Sequence, residues 1–199
     1  MKKKEKLIIG ITGGIGAGKT TLANLIKDKG YNVIFTDELA KKTINENNEI
    51  QTNLIKEFGK KCFIDGKYNT KYISDLVFSD NKKLEKLNKI VIPNVIDDLI
   101  AEIDLLQDAD TNLIFVESAL LYEFDLADGF DYIISVTAKL ENKKNRIKHN
   151  FQDRIASQMS QEEKNALADF VIENDKDISE LKKSLEFIID ILEVLPNKE

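Results

Sequence analysis

LIIGITGGIGAGKTTLANLIKDKG, residues 7–30, decides the fold. Leu7, Ile8, Ile9 and Ile11 form a short apolar run that suits a strand covered on both faces in a parallel sheet. Gly13, Gly14, Gly16 and Gly18 then open a loop that can turn left-handed and come close to a ligand, because no Cβ stands in the way. After Lys19 the spacing becomes helical, with Leu22, Leu25 and Ile26 on one face and Gly30 placed as a C-terminal cap. A helix N-terminus whose free N–H groups point into a glycine loop is an anion site. Gly13, Gly18, Lys19 and Thr20 meet the spacing GxxxxGK(S/T): the lysine supplies charge for the outer phosphates, and the Thr20 hydroxyl suits a Mg²⁺ ion shared with them. Five of the nine glycines in the chain lie in this loop and the strand feeding it, so glycine-rich composition does not explain the pattern.

The chain of 199 residues is long enough to bury about 70 % of its unfolded surface in one domain with inserted lobes. Its net charge of -6 argues against a general nucleic-acid binder and still allows a local basic pocket for a phosphorylated small molecule. Cys62 has no partner for an internal disulfide, which points to a reduced compartment, and Cys62 with His149 supplies no structural zinc cluster. Three lysines before an apolar run resemble the start of a signal peptide, but the run stops at the glycine loop without a small-residue cleavage site. No stretch approaches the roughly 20 apolar residues that span a bilayer. The expectation is a cytoplasmic protein that works on small molecules, with no nucleic acid, no membrane and no obligate protein partner evident.

Beyond the loop, YNVIFTD (31–37) reads as a second strand, so the start of the chain is a βαβ unit with parallel strands. Asp37 falls at the carboxyl end of that strand, on the sheet edge where open α/β sheets bind ligands. The lesser reading is Asp37 as N-cap of a helix beginning Glu38-Leu39-Ala40, and the two roles are compatible. Ile50, Leu54, Ile55 and Phe58 predict a helix ending at Gly59, and Asp65-Gly66 marks a turn. From 70 to 106 amphipathic helices follow, interrupted at Pro93, and this block reads as an inserted helical lobe. LIFVES (113–118) is a candidate central strand; Glu117 at its end, and Glu123 after it, are open between a place near a metal and an ordinary cap. FDYIISV (130–136) is another strand, followed by a lysine-rich helix from Ala138 to Lys148. Lys143, Lys144, Arg146, Lys148, His149 and Arg154 place cations where a closing lid would neutralise a transferring phosphoryl group. Solvated surface is the simplest reading for the lysines, with Arg154 and then Arg146 set apart from it. A short strand in ADFVIEND (168–175) precedes a core-facing helix bearing Ile178, Leu181, Leu185, Ile188, Ile189 and Leu192.

Taken together, TGGIGAGKTT (12–21), NVIFTDELAKK (32–42), NTKYISDLVFSDNKKLEKLNKIVIP (69–93), ESALLYE (117–123) and RIASQMSQEEKNALADFVIEND (154–175) resemble the dephospho-coenzyme A kinases along the whole chain. The first segment alone says only P-loop nucleotide binding; the last narrows the resemblance most. It implies an α/β fold with a three-layer P-loop kinase core and a five-stranded parallel sheet, about 1–58, 110–138 and 168–199. It also implies a helical acceptor lobe at about 59–109 and a short lid at about 139–167. The implied substrates are ATP, with Mg²⁺, and dephospho-CoA. By the same resemblance Gly14, Ile15, Gly16, Ala17, Gly18, Lys19, Thr20 and Thr21 hold the ATP phosphates, Thr20 holds the metal, and Asn174 lies toward the adenine. Asp37 matches the catalytic base, and Lys19 and Arg154 the catalytic cations.

The chain departs from the family's usual pattern at Phe35 (usually Asp), Thr70 (Arg), Ile92 (His), Ala119 (Pro) and Asn150 (a lid Arg), and its lid segment is shorter. The alternatives are another small-molecule P-loop kinase, a nucleotide switch or ATPase without an acceptor, and an inactive homologue, which these departures keep open. Against a GTPase, the chain has no DxxG, and Asn174-Asp175-Lys176-Asp177 is not NKxD.

Overall fold

The computed structural model describes residues 6–77, 80–107, 110–146 and 158–196. The chain forms two compact units, Met1–Phe35 with Leu105–Glu199, and Thr36–Asp104.

In the first unit, β1 (Leu7–Thr12), β2 (Asn32–Phe35), β5 (Leu113–Glu117), β6 (Tyr132–Thr137) and β7 (Phe170–Glu173) make a five-stranded parallel sheet in the order β2-β5-β1-β6-β7. The continuous apolar runs in β1 and β5 fit their inner positions, and all five residues of β5 are buried. One face packs on α1 (Lys19–Asp28) and on the last helix, α8 (Ile178–Leu192). Ile9, Ile11, Phe115, Ile134 and Val136 of the sheet join Leu22 and Ile26 of α1 and Leu181, Leu185 and Leu192 of α8 in a single core cluster. Asp177 caps α8, its side chain accepting from the Ser179 and Glu180 N–H groups.

Two aspartates pin the register of the sheet by the same device. Asp131, just before β6, accepts the N–H of Ile8 in β1 at 2.7 Å, and Asp169, just before β7, accepts the N–H of Ile133 in β6 at 2.8 Å. On the opposite edge β6 and β7 end in register, Thr137 beside Glu173, two residues beyond Ser135, which pairs with Thr12 at the end of β1.

The second unit holds α2 (Thr36–Glu46), α3 (Asn48–Phe58), a hairpin of β3 (Phe63–Ile64) and β4 (Lys67–Tyr68), α4 (Thr70–Val77) and most of α5 (Asn81–Leu106). Helices α2 and α3 belong to this unit. Leu39, Ile50, Leu54, Ile73, Val91, Val95 and Leu99 are among its buried residues, and the Cys62 thiol is fully buried, 3.5 Å from the Leu54 carbonyl. Asp65 and Gly66, both at positive φ, make the hairpin turn.

Two expectations change. Helix α5 runs unbroken through Pro93. The ring faces solvent while Val91 and Val95 are buried on the opposite side, so packing holds the helix across the lost hydrogen bond, and Asn94 Nδ2 donates to the Ile90 carbonyl at 3.3 Å in that turn. Asp37 is not an N-cap, because α2 starts at Thr36 and Asp37 lies inside its first turn.

Leu185→Ala, which empties a fully buried site in α8, is expected to cost about 2–5 kcal/mol in urea unfolding. Phe187→Ala on the exposed side of the same helix should stay within about 0.5 kcal/mol of the parent.

Candidate active site

The loop between β1 and α1 takes its shape from three glycines at positive φ, Gly13 (142°), Gly16 (75°) and Gly18 (102°). Space as well as conformation demands glycine at two of them. A Cβ on Gly13 would lie 2.1 Å from the Val136 carbonyl oxygen, and one on Gly18 would lie 2.0 Å from Asn174 Nδ2. The ends of β6 and β7 thus press on the loop from one side.

The loop's outward carbonyls are taken up by side chains from later in the chain. Asn174 Nδ2 donates to the Ala17 carbonyl at 2.9 Å, while its own backbone N–H donates to Thr137 at 2.7 Å. Arg146, at the end of α6 (Leu140–Arg146), donates from Nη1 to the Gly16 and Ala17 carbonyls, both at 3.2 Å, and from Nη2 to the Asn174 carbonyl at 3.0 Å. Because the two ends of a peptide unit point opposite ways, drawing these carbonyls outward turns N–H groups toward the ligand side. Lys19 is 8 % exposed, with Nζ donating to the Gly14 carbonyl at 3.3 Å. Thr20 and Thr21 are exposed in the first turn of α1, and Ile15 is half-buried at the loop's tip.

Helix α6 is tied to the chain after β7, since the Lys139 N–H and Asn142 Nδ2 both donate to Asp175 Oδ1, at 2.6 and 3.0 Å. These bonds, the Lys139 N–H first, hold the Asp175 carboxyl below its usual pKa. Helix α7 (Gln161–Leu167) starts at a capping box of Ser160 and Glu163 and lays three polar residues inward. Gln161 Oε1 accepts the Gly14 N–H at 2.8 Å, and Gln161 Nε2 donates to Ser135 Oγ and Asn165 Oδ1. Lys164 is fully buried, donating to the Ala119 carbonyl at 2.6 Å and pairing with Glu123 at 2.8 Å. Glu123 Oε1 also accepts the Met159 N–H, so this carboxylate braces the segment entering α7. Glu117 is 7 % exposed at the end of β5, in register with Ile11 and Phe35.

Of the residues expected at the site, Gly14, Ile15, Gly16, Ala17, Gly18, Lys19, Thr20 and Thr21 form the loop and helix start, and Asn174 touches them directly. Asp37 is exposed and belongs to the second unit. Arg154, with His149 and Asn150, lies outside the described residues. The sequence reading does not reach Gln161 or Asn165, leaves Lys143 as solvated surface and ranks Arg146 after Arg154. The available signal was the helical spacing of Gln161, Lys164 and Asn165, three polar residues on one face of α7, together with the Ser160–Glu163 box that fixes its start.

A sequence profile of the dephospho-CoA kinase family matches residues 7–180. The chain is 32 % identical over 186 residues to the dephospho-CoA kinase of Salinibacter ruber, covering 88 % of this chain and 92 % of that one. It is 34 % identical over 188 residues to that of Fusobacterium nucleatum, covering 90 % and 95 %. The crystal structure of a Thermus thermophilus protein, 31 % identical, matches with a TM-score of 0.79 over 95 % of this chain and 99 % of that one.

Gly18→Ala places a Cβ against Asn174 at a positive φ and is expected to cost roughly 1–3 kcal/mol and to abolish the rise in melting temperature on adding ATP. Gly30→Ala, at a φ of +93° with no atom within 4 Å of the new Cβ, should lower the melting temperature slightly and keep that rise.

Proposed function

The chain belongs to the dephospho-CoA kinase family, and we propose for it the reaction and the division of labour that follow. It is an ATP-dependent phosphotransferase that moves the γ-phosphate of ATP to the ribose 3′-hydroxyl of dephospho-CoA, giving ADP and coenzyme A. The observation that carries this reading is the loop at residues 13–20, a glycine cradle held open by Arg146 and Asn174 in a chain matched by the family from residue 7 to 180.

Residues 14–21 hold the triphosphate through backbone N–H groups, with the Lys19 ammonium on the outer phosphates. Asp37 takes the proton of the 3′-hydroxyl as its oxygen bonds to the γ-phosphorus and the bond to the ADP oxygen breaks, in line and with inversion. Arg154 neutralises charge on the transferring group, and Asn174, besides bracing Ala17, lies toward the adenine. No group of three or more His, Cys, Asp or Glu suited to a metal occurs among the described residues, so a Mg²⁺ ion would be held by Thr20 together with phosphate oxygens. That donor set fits magnesium, which takes few protein ligands; bound there, the ion neutralises the β- and γ-phosphates. The sheet unit serves ATP, helices near 59–109 serve the acceptor, and the segment near 139–167 is the lid, anchored at α6 by Arg146 and at α7 by Lys164. Among the described residues no helix is long and apolar enough to cross a membrane. We place the protein in the cytoplasm.

Lys19→Ala should abolish transfer by uncoupling the phosphates from their cation, and full activity in that variant would refute the loop's role. Asp37→Asn should leave ATP affinity near that of the parent and lower kcat by about 10²-fold or more; an unchanged kcat would reduce Asp37 to a residue of the first turn of α2.

A further inference from the structure

One oxygen beside the phosphate loop has the surroundings of a phosphate oxygen. Gln161 Oε1 accepts the Gly14 N–H at 2.8 Å, and Lys143 Nζ donates to the same atom at 3.2 Å. A loop amide and an ammonium converging on one oxygen is how a nest of backbone N–H groups and a lysine receive an anion. The ammonium stands at the loop itself, since a Cβ built on Gly14 would lie 3.5 Å from Lys143 Nζ and 3.0 Å from Gln161 Oε1. Its position is fixed by the fold. Lys143 is the fourth residue of α6, whose start is bonded to Asp175 and whose last residue, Arg146, is bonded to Gly16, Ala17 and Asn174. Residues three apart on a helix share a face, so Lys143 and Arg146 reach the loop together.

The partner that Lys143 has here is weak for a cation. A carboxamide oxygen carries no net charge, so it gives the ammonium a hydrogen bond without the attraction between opposite charges that a phosphate oxygen adds. Lys143 is half-buried, and loss of water lowers its pKa below the ordinary lysine value, with the Glu162 and Asp175 charges pulling the other way. An ionised phosphate at this place would favour the charged form.

We propose that Lys143 is a phosphate-binding residue of the kinase reaction, a second lysine on the polyphosphate of ATP besides Lys19, and that Gln161 Oε1 holds its place until a phosphate oxygen replaces it. This rests on residues 13–20 being the ATP phosphate loop. Lys19 then supplies charge from the start of α1 and Lys143 from α6, while Gln161 loses two hydrogen bonds to its Oε1 and keeps those that its Nε2 makes to Ser135 and Asn165.

The test is calorimetric titration of ATP into the parent, Lys143→Gln, Lys143→Arg and Gln161→Leu, with kcat and the nucleotide-free melting temperature measured on each. Lys143→Gln should bind ATP roughly 10- to 100-fold more weakly with its melting temperature near the parent's, and Lys143→Arg should recover most of the loss. Gln161→Leu should bind ATP as tightly as the parent or more so, because the competing oxygen is gone. Parent-like ATP affinity in Lys143→Gln would overturn the proposal. So would an equal loss in Gln161→Leu, which would make Lys143 only an anchor for Gln161. Lys143→Ala serves as the neutral variant if Lys143→Gln folds poorly. A parent protein that fails to bind ATP would refute the phosphate-loop reading itself, a different failure from either of these.

Discussion

A backbone that is to bind an anion must send its carbonyls elsewhere. In the loop after β1, Gly16 and Ala17 turn theirs outward, and those oxygens are met by the Arg146 guanidinium and the Asn174 carboxamide. The Ala17 carbonyl is buried, and a buried carbonyl left without a donor costs about 1–3 kcal/mol, so the open loop depends on these side chains from far along the chain. The same dependence makes glycine obligatory at 18, because the Asn174 carboxamide that braces Ala17 occupies the space a Cβ would need.

The rest of the first unit brings those donors to the loop. Asp131 and Asp169 fix where β6 starts against β1 and β7 against β6, and so fix where Thr137 and Asn174 emerge on the opposite edge. Asp175 then ties down α6, which carries Lys143 and Arg146, and Ser135 with Asn165 orients Gln161. Below the edge, α1 and α8 cover one face of the sheet with aliphatic side chains, and that burial makes the frame rigid enough for hydrogen bonds to act as positioning devices. The buried pair of Lys164 and Glu123 adds a second fixed point, joining α7 to the loop after β5 through the Ala119 carbonyl. Pairs of this kind gain little net stability, but removing one partner leaves a costly buried charge, which suits a role in fixing geometry.

Local patterns explain what could be read in advance. The apolar runs of β1 and β5, the glycine spacing and the 3.6-residue periodicity of α8 each lie within a short window, and each forms as its residues dictate. The strand order β2-β5-β1-β6-β7 and the two aspartate pins depend on residues more than 30 positions apart, and no local pattern reveals them. Pro93 misleads because propensity is a local cost, here outweighed by the burial of Val91, Val95 and Leu99 along one side of α5. Lys143 reads as solvated surface, and nothing local marks Lys164 as buried, because a lysine's surroundings are set by what packs on it. For Lys164 that is Glu123 and Ala119, more than 40 residues earlier.

The central claim is that this cradle hands a phosphoryl group to an acceptor and does not simply hold or hydrolyse nucleotide. The direct measurement is ADP release from Mg-ATP in the presence of dephospho-CoA, of adenosine and of no acceptor, with the products identified by mass spectrometry. ADP release should require dephospho-CoA and yield coenzyme A in equal amount. ADP release at the same rate without an acceptor, or a phosphorylated product only from another acceptor, would contradict it.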